Sequence, residues 1–242
     1  PGRPGCGGCL QQVIAAAPVV GILSLDTRFP RIAGDVGNPD SYPFPVRILR
    51  VAGATPGRVV HDRAEGLVDA FVEAGRALAA GGCRALVTTC GFLALRQHEL
   101  AAALPVPVAT SALLQLPMIA RLLPRARIPG VVTASERSLT PDHLRGVGAD
   151  PATPVVGVPE GAAFSRTFVG DGDALDIEAA RRDVVAAALR LAGEQPALGA
   201  ILLECANMGP YAADVQAATA LPVFDMVGLV RWLHHGLAQL RY

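Results

Sequence analysis

The chain has 242 residues, enough to bury one large core or two of roughly 110 residues each. Hydrophobic residues make up 51% and charged ones 17%, which excludes a disordered chain; a formal net charge of zero, with no basic stripe, argues against nucleic acid or an anionic membrane as the main partner. All 21 basic residues other than histidine are arginine, and the absence of lysine excludes Schiff-base and cofactor-anchoring lysine chemistry.

Residues 1–17 are expected to form an N-terminal tail. Pro1 to Cys9, with one Arg and no hydrophobic centre, does not resemble a secretory signal. Cys6 and Cys9 form a CxxC without the second pair that zinc needs and without a strand–helix context for redox work, so they belong to the tail. Five cysteines (6, 9, 83, 90 and 205) are an odd, sparse set, which points to a reducing, cytoplasmic location. The apolar run from Val13 to Leu25 is broken by Pro18 and yields a first strand over 19–24. No run reaches the roughly 18–20 residues of a membrane span.

Next comes a twenty-residue loop, 26–45, with four prolines, the kind of long connection that serves as a lid or binding loop. Further strands are expected over 46–51, 85–89 and 106–110, then over 130–134, 154–158, 200–204 and 223–225. Amphipathic helices are expected over 62–80, 92–103, 177–192 and 226–240. Short strands that are apolar on both faces, alternating with helices, predict an α/β fold with parallel sheets.

The halves repeat each other. Ala85 to Cys90 matches Ala200 to Cys205, Leu104-Pro105-Val106 matches Leu221-Pro222-Val223, and Gly21 to Ser24 matches Gly130 to Thr133, in the same order. This predicts two pseudo-symmetric half-domains, 18–117 and 118–242, divided near the prolines of 117–129. The last helix is free to pack back on the first half. A cleft between the halves would carry one thiol on each wall.

Each of Cys90 and Cys205 ends an apolar run where a strand turns toward a helix. A helix N-terminus favours a thiolate and a substrate carboxylate, and the ~1.5-unit shift needed to half-ionise a thiol near neutrality is of the size such a site supplies. Two opposed thiols suit proton traffic on one carbon acid: one removes an α-proton and the other returns a proton to the opposite face. That chemistry requires no metal, redox change or organic cofactor. Asp26, at the end of the first strand, is a candidate to orient a thiol or to bind an ammonium group, or else to cap a turn. Arg28, Arg31 and Arg47 are candidates to neutralise a distal carboxylate. Cys83 reads as a core residue. The histidines have no spacing that recommends them.

The turns Thr88-Thr89-Cys90-Gly91 and Glu204-Cys205-Ala206-Asn207, Asp26 after the first strand, and the two-half layout resemble the aspartate/glutamate racemase superfamily. The resemblance runs from about Val19 onward. It implies two flavodoxin-like half-domains with the site between them, Cys90 and Cys205 as acid/base thiols, and Asp26 as the supporting carboxylate. It also implies that Thr27, Gly91, Phe92, Thr133, Ser135, Ala206 and Asn207 line the cleft around the substrate carboxylate, with no cofactor and with a homodimer as the common assembly. Where amino-acid racemases of this group often carry a threonine after the first cysteine and a histidine after the second, this chain has Gly91 and Ala206-Asn207-Met208.

The expected function is therefore a cofactor-independent racemase or epimerase of a small carboxylate-bearing substrate, an amino acid or hydantoin-like molecule. A maleate-type isomerase or an arylmalonate-type decarboxylase is the alternative within the superfamily. A two-lobed binding protein with incidental cysteines is the alternative of a different class.

Overall fold

A computed structural model describes residues 19–239; the tail with Cys6 and Cys9 lies outside the described residues. Among them are two four-stranded, wholly parallel sheets with helices packed on them. The first holds β1 (Val19–Ser24), β2 (Val46–Arg50), β3 (Cys83–Thr88) and β4 (Val108–Ala109) in the order β2-β1-β3-β4. The second holds β5 (Ile128–Thr133), β6 (Val155–Gly157), β7 (Leu198–Leu203) and β8 (Val223–Phe224) in the corresponding order β6-β5-β7-β8. Such sheets need apolar residues on both faces, and β1, β3, β5 and β7 supply them.

The duplication extends to packing detail. The β1–β3 register slips between Val19 and Val20, and the β5–β7 register slips at the matching step between Ile128 and Pro129. Gly21 and Gly130 occupy equivalent positions under helices. A methyl at Gly21 would meet Leu78 and Leu86, and one at Gly130 would meet Leu191 and Leu198. Both glycines let a helix close onto its sheet.

The helices are α1 (Pro56–Val60), α2 (Val68–Ala80), α3 (Gln97–Ala103), α4 (Leu116–Leu122), α5 (Pro141–Gly146), α6 (Ala163–Phe168), α7 (Ile177–Glu194), α8 (Ala212–Thr219) and α9 (Met226–Leu237). The helix expected from 62 begins at Val68, because Arg63 and Ala64 take positive φ and break any helix there. The one expected over 92–103 is a 3-10 segment, Gly91–Arg96, followed by α3. Helices α4 and α9 exchange sides: α4 follows β4 yet packs on β5, and α9 follows β8 and packs on β3. Leu229 and Val230 of α9 thus share a core with Leu86 and Val87. No helix among the described residues is long and apolar enough to cross a membrane.

The long loop is firmly held. Tyr42 Oη donates to Val36 O at 3.0 Å, Ser41 Oγ to Asp35 O at 2.6 Å, and Arg231 reaches back from α9 to Ser41 O at 2.9 Å. Phe29, Asp35 and Val36 are buried, so this loop brings side chains to the carboxyl ends of the strands.

Candidate active site

Cys90 follows β3 and Cys205 follows β7, and both line one small cavity at the carboxyl ends of the two sheets. Thr89 anchors the first turn by accepting the Leu25 N–H at 3.0 Å, while Thr88 Oγ1 donates to Thr110 O at 2.6 Å. Cys90 is thereby fixed in an extended conformation at the start of the 3-10 segment. Of the residues expected to surround the thiols, Gly91, Phe92 and Asn207 line the cavity. Leu25, Phe29, Phe168 and Glu204 join them.

Other expected residues face elsewhere. Asp26 is captured on the β2 side, accepting the Gly53 N–H at 3.1 Å and pairing with Arg50 at 3.3 Å. Thr27 Oγ1 accepts from Arg31 at 3.3 Å, and Ser135 Oγ donates to Ser138 at 2.9 Å. Ala206 is buried, with its carbonyl taking the Val36 N–H at 3.3 Å. Thr133 touches the site only through Glu204. Of the three arginines, Arg28 pairs with Asp171, Arg47 donates to Gly81 O, and the half-buried Arg31 pairs with the buried Asp35 at 2.8 Å.

That ion pair belongs to a chain of contacts ending on sulfur. Asp35 Oδ2 accepts from Asn207 Nδ2 at 2.5 Å, which fixes the amide so that its Oδ1 accepts the Cys205 thiol proton at 3.4 Å. Arg31, Asp35 and Asn207 therefore position Cys205. Sequence reasoning found Asn207 but not Asp35, whose partner is 172 positions away.

Glu204 was also missed as a site residue. It is fully buried; Oε2 accepts the Thr133 hydroxyl at 2.7 Å, and Oε1 has no hydrogen-bond partner. A methyl on Gly91 would overlap this carboxyl, so glycine is required there for the two turns to meet. The repeat contained a signal: Glu204 stands where the first copy has Thr89, a charge at the end of an otherwise apolar strand. The two halves share a fold and differ at this wall.

The thiols do not behave as expected of helix N-termini. Cys90 precedes only a six-residue 3-10 segment, and Cys205 precedes a turn, with α8 starting at Ala212. Burial, then the Glu204 carboxyl, pushes Cys90 up to about 12, with the Phe92 N–H and Arg31 pulling back. The same two causes raise Cys205 well above the ordinary thiol range, partly offset by the Asn207 N–H. Both sulfurs rest as neutral thiols.

Burial raises Glu204 itself to about 7, against a hydrogen bond from Thr133 that favours the anion. An acid whose pKa is raised on folding lends stability that is complete below its unfolded value, 4.5, and lost as pH rises through about 7. His143 works the opposite way lower down: buried and held near 4, it costs stability as pH falls from 6.5. Glu204→Gln is therefore expected to gain on the native protein across pH 5 to 8, by about 3 kcal/mol at the top. Urea unfolding at each pH measures this, and a difference independent of pH would refute it.

The cavity is nearly closed, with an internal volume of about 20 Å³, room for about one water. Phe29 meets Phe168 edge-on at 5.0 Å, and Arg28 pairs with Asp171 at 3.2 Å, joining the long loop to the second half. An aromatic pair contributes about 0.5–1.5 kcal/mol and an exposed ion pair about 0–1; the Asp35–Asn207 and Val36–Ala206 hydrogen bonds tie the same loop to the second half more firmly. Among the described residues, no group of three or more His, Cys, Asp or Glu is placed to hold a metal.

The fold is similar to that of solved racemases and a decarboxylase. Allantoin racemase from Klebsiella pneumoniae superposes with a TM-score of 0.63 at 17% identity, covering 91% of this chain and 87% of that one. Aspartate racemase from Picrophilus torridus gives 0.59 at 14% identity (93% and 95% covered), and unliganded arylmalonate decarboxylase 0.57 at 15% (92% and 93%). No protein-family model matches the chain. Sequence similarity is more particular: a dimethylsulfoniopropionate lyase of Durusdinium sp. clade D is 31% identical over 221 residues, 86% of this chain and 71% of that protein. Dimethylsulfoniopropionate lyase 7 of Emiliania huxleyi is 29% identical over 230 residues, 89% of this chain and 66% of that protein. The chain belongs to the dimethylsulfoniopropionate lyase family. It is thus related to enzymes, and these relatives are named for a lyase where the sequence alone suggested an isomerase.

Proposed function

We propose that the chain is a cofactor-independent lyase that eliminates dimethyl sulfide from dimethylsulfoniopropionate or a close analogue. One thiolate removes a proton from the carbon α to the carboxylate. The C–H electrons form the carbon–carbon double bond, the C–S electrons leave on sulfur, and acrylate, dimethyl sulfide and a proton result. The expected racemase chemistry begins with the same α-proton removal. A good leaving group on the β-carbon turns that step into elimination.

The observation that carries the proposal is a pair of thiols and a buried carboxyl on one closed cavity in a chain with lyase relatives. Ionising a thiol of pKa about 12 at pH 8 costs about 5 kcal/mol. A sulfonium charge about 4 Å away returns about 4 kcal/mol at an effective dielectric of 20. The sulfonium end of the zwitterionic substrate thus largely offsets the burial that keeps the empty site neutral. A substrate without an onium centre would not.

The test is to incubate the purified protein with dimethylsulfoniopropionate and measure dimethyl sulfide in the headspace and acrylate in solution. In parallel, D- and L-amino acids, hydantoins and maleate are followed in heavy water for α-proton exchange and optical rotation. Dimethyl sulfide and acrylate in equal amounts are expected. Racemisation of an amino acid or hydantoin with no dimethyl sulfide would restore the isomerase reading, which the matching thiols of the two halves favour.

A further inference from the structure

We infer that Glu204 is a specificity-determining residue that reads the positive charge of the substrate, its carboxylate facing an onium head seated among Phe29, Phe92 and Phe168. The inference rests on the lyase reading for its substrate class and adds the residue that selects it.

Glu204 lies on the cavity wall and is wholly buried, yet Oε1 has no partner. A buried polar atom left bare costs about 1–3 kcal/mol, and native proteins retain few of them. Arg31, the cation that acts on Cys90, is already committed to its pair with Asp35. A ligand is left to supply the charge. The remaining wall suits a large, weakly hydrated cation, because aromatic faces attract onium groups and offer no competing donor. Gly91 leaves the carboxyl room that a side chain would take.

Ionisation of Glu204 near neutrality makes such binding pH-dependent. The titratable and charged groups of the site are Cys90 and Cys205 beside Glu204, Arg31 acting on Cys90, Asp35 and Tyr211 on Cys205, and His143 behind Phe92. The thiols and Tyr211 ionise far above pH 8, and His143 is neutral down to about 4. Glu204 is left as the group whose charge changes between pH 6 and 8.

Two unreactive ligands of one shape provide the test: 3-(trimethylammonio)propanoate, and 4,4-dimethylpentanoate, in which carbon replaces the charged nitrogen. Calorimetric titration of the native protein at pH 8 is expected to show the ammonium ligand binding at least about tenfold more tightly. That preference is expected to fall about tenfold between pH 8 and pH 6, as Glu204 takes up its proton. Glu204→Gln, which keeps the shape, is expected to lose both the preference and its pH dependence. Equal affinity for the two ligands, binding of neither, a pH-independent preference, or a preference that survives Glu204→Gln would each overturn the inference. The pH series needs no variant. Neither ligand turns over, so a protein that shows the charge preference but releases no dimethyl sulfide would disprove the lyase reading while leaving the role of Glu204 intact.

Discussion

Cys90→Ser and Cys205→Ser are each expected to lower kcat/KM for elimination by at least about 10²-fold, the lower bound for losing a positioned acid or base. A serine hydroxyl is a far weaker acid than a thiol, so the variant at the proton-abstracting position has no populated base. The opposite thiol lines the same cavity and is expected to serve as a donor for charge that develops on the substrate carboxylate, so its loss is also felt. Oxygen for sulfur is nearly isosteric, and the unfolding midpoint should stay within a few degrees of the native one. Heavy-water exchange then separates the roles: the variant lacking the base loses α-proton exchange, whereas the other can exchange without eliminating. Full turnover by both variants would refute the two-thiol site.

Asp35→Ala is expected to have the largest effect on stability. Asp35 and Arg31 are nearly inaccessible, with side-chain exposures of 2% and 12%, and the carboxylate also takes the Gly37 N–H at 2.7 Å and the Asn207 amide. Removing one partner of a buried pair strands the other, at a cost of about 3–5 kcal/mol. In a chain of this length, that lowers the melting temperature by roughly 10 °C. Activity should fall as well, because the freed Asn207 amide no longer holds the Cys205 proton. Replacing both charges, as Arg31→Met with Asp35→Leu, should recover part of the stability without the activity. A double variant no more stable than Asp35→Ala would show that the stranded charge is not the cause.

The parallel sheets were readable in the sequence because strands buried on both faces leave continuous apolar runs, and the repeat gave each run a partner for comparison. Element ends were less readable. Residues 62–66 have a composition that suits a helix, and only their left-handed backbone rules it out. Helix α8 buries only Val215, so it presents almost no periodic stripe. Among the residues lining the cavity, both cysteines were legible from the repeat, and Gly91, Phe92 and Asn207 only through the resemblance that their turns carry. Asp26 and Thr27 were not, because neighbouring loops compete for their side chains, and no local pattern records that competition. Asp35 and Glu204 act through contacts across the halves. Thiol ionisation was misjudged for the same kind of reason: a turn visible in sequence is worth about 1 kcal/mol, and the burial that outweighs it is a property of the assembled fold.

Thr89 and Glu204 occupy matching places in two otherwise similar walls. A molecule with an anionic end and a cationic end can lie between such walls in only one direction. Its α-carbon then shows one fixed side to each sulfur. A cavity with that asymmetry tells apart the two hydrogens of a methylene group that free solution treats as identical, even though the product keeps no stereocentre to record the choice.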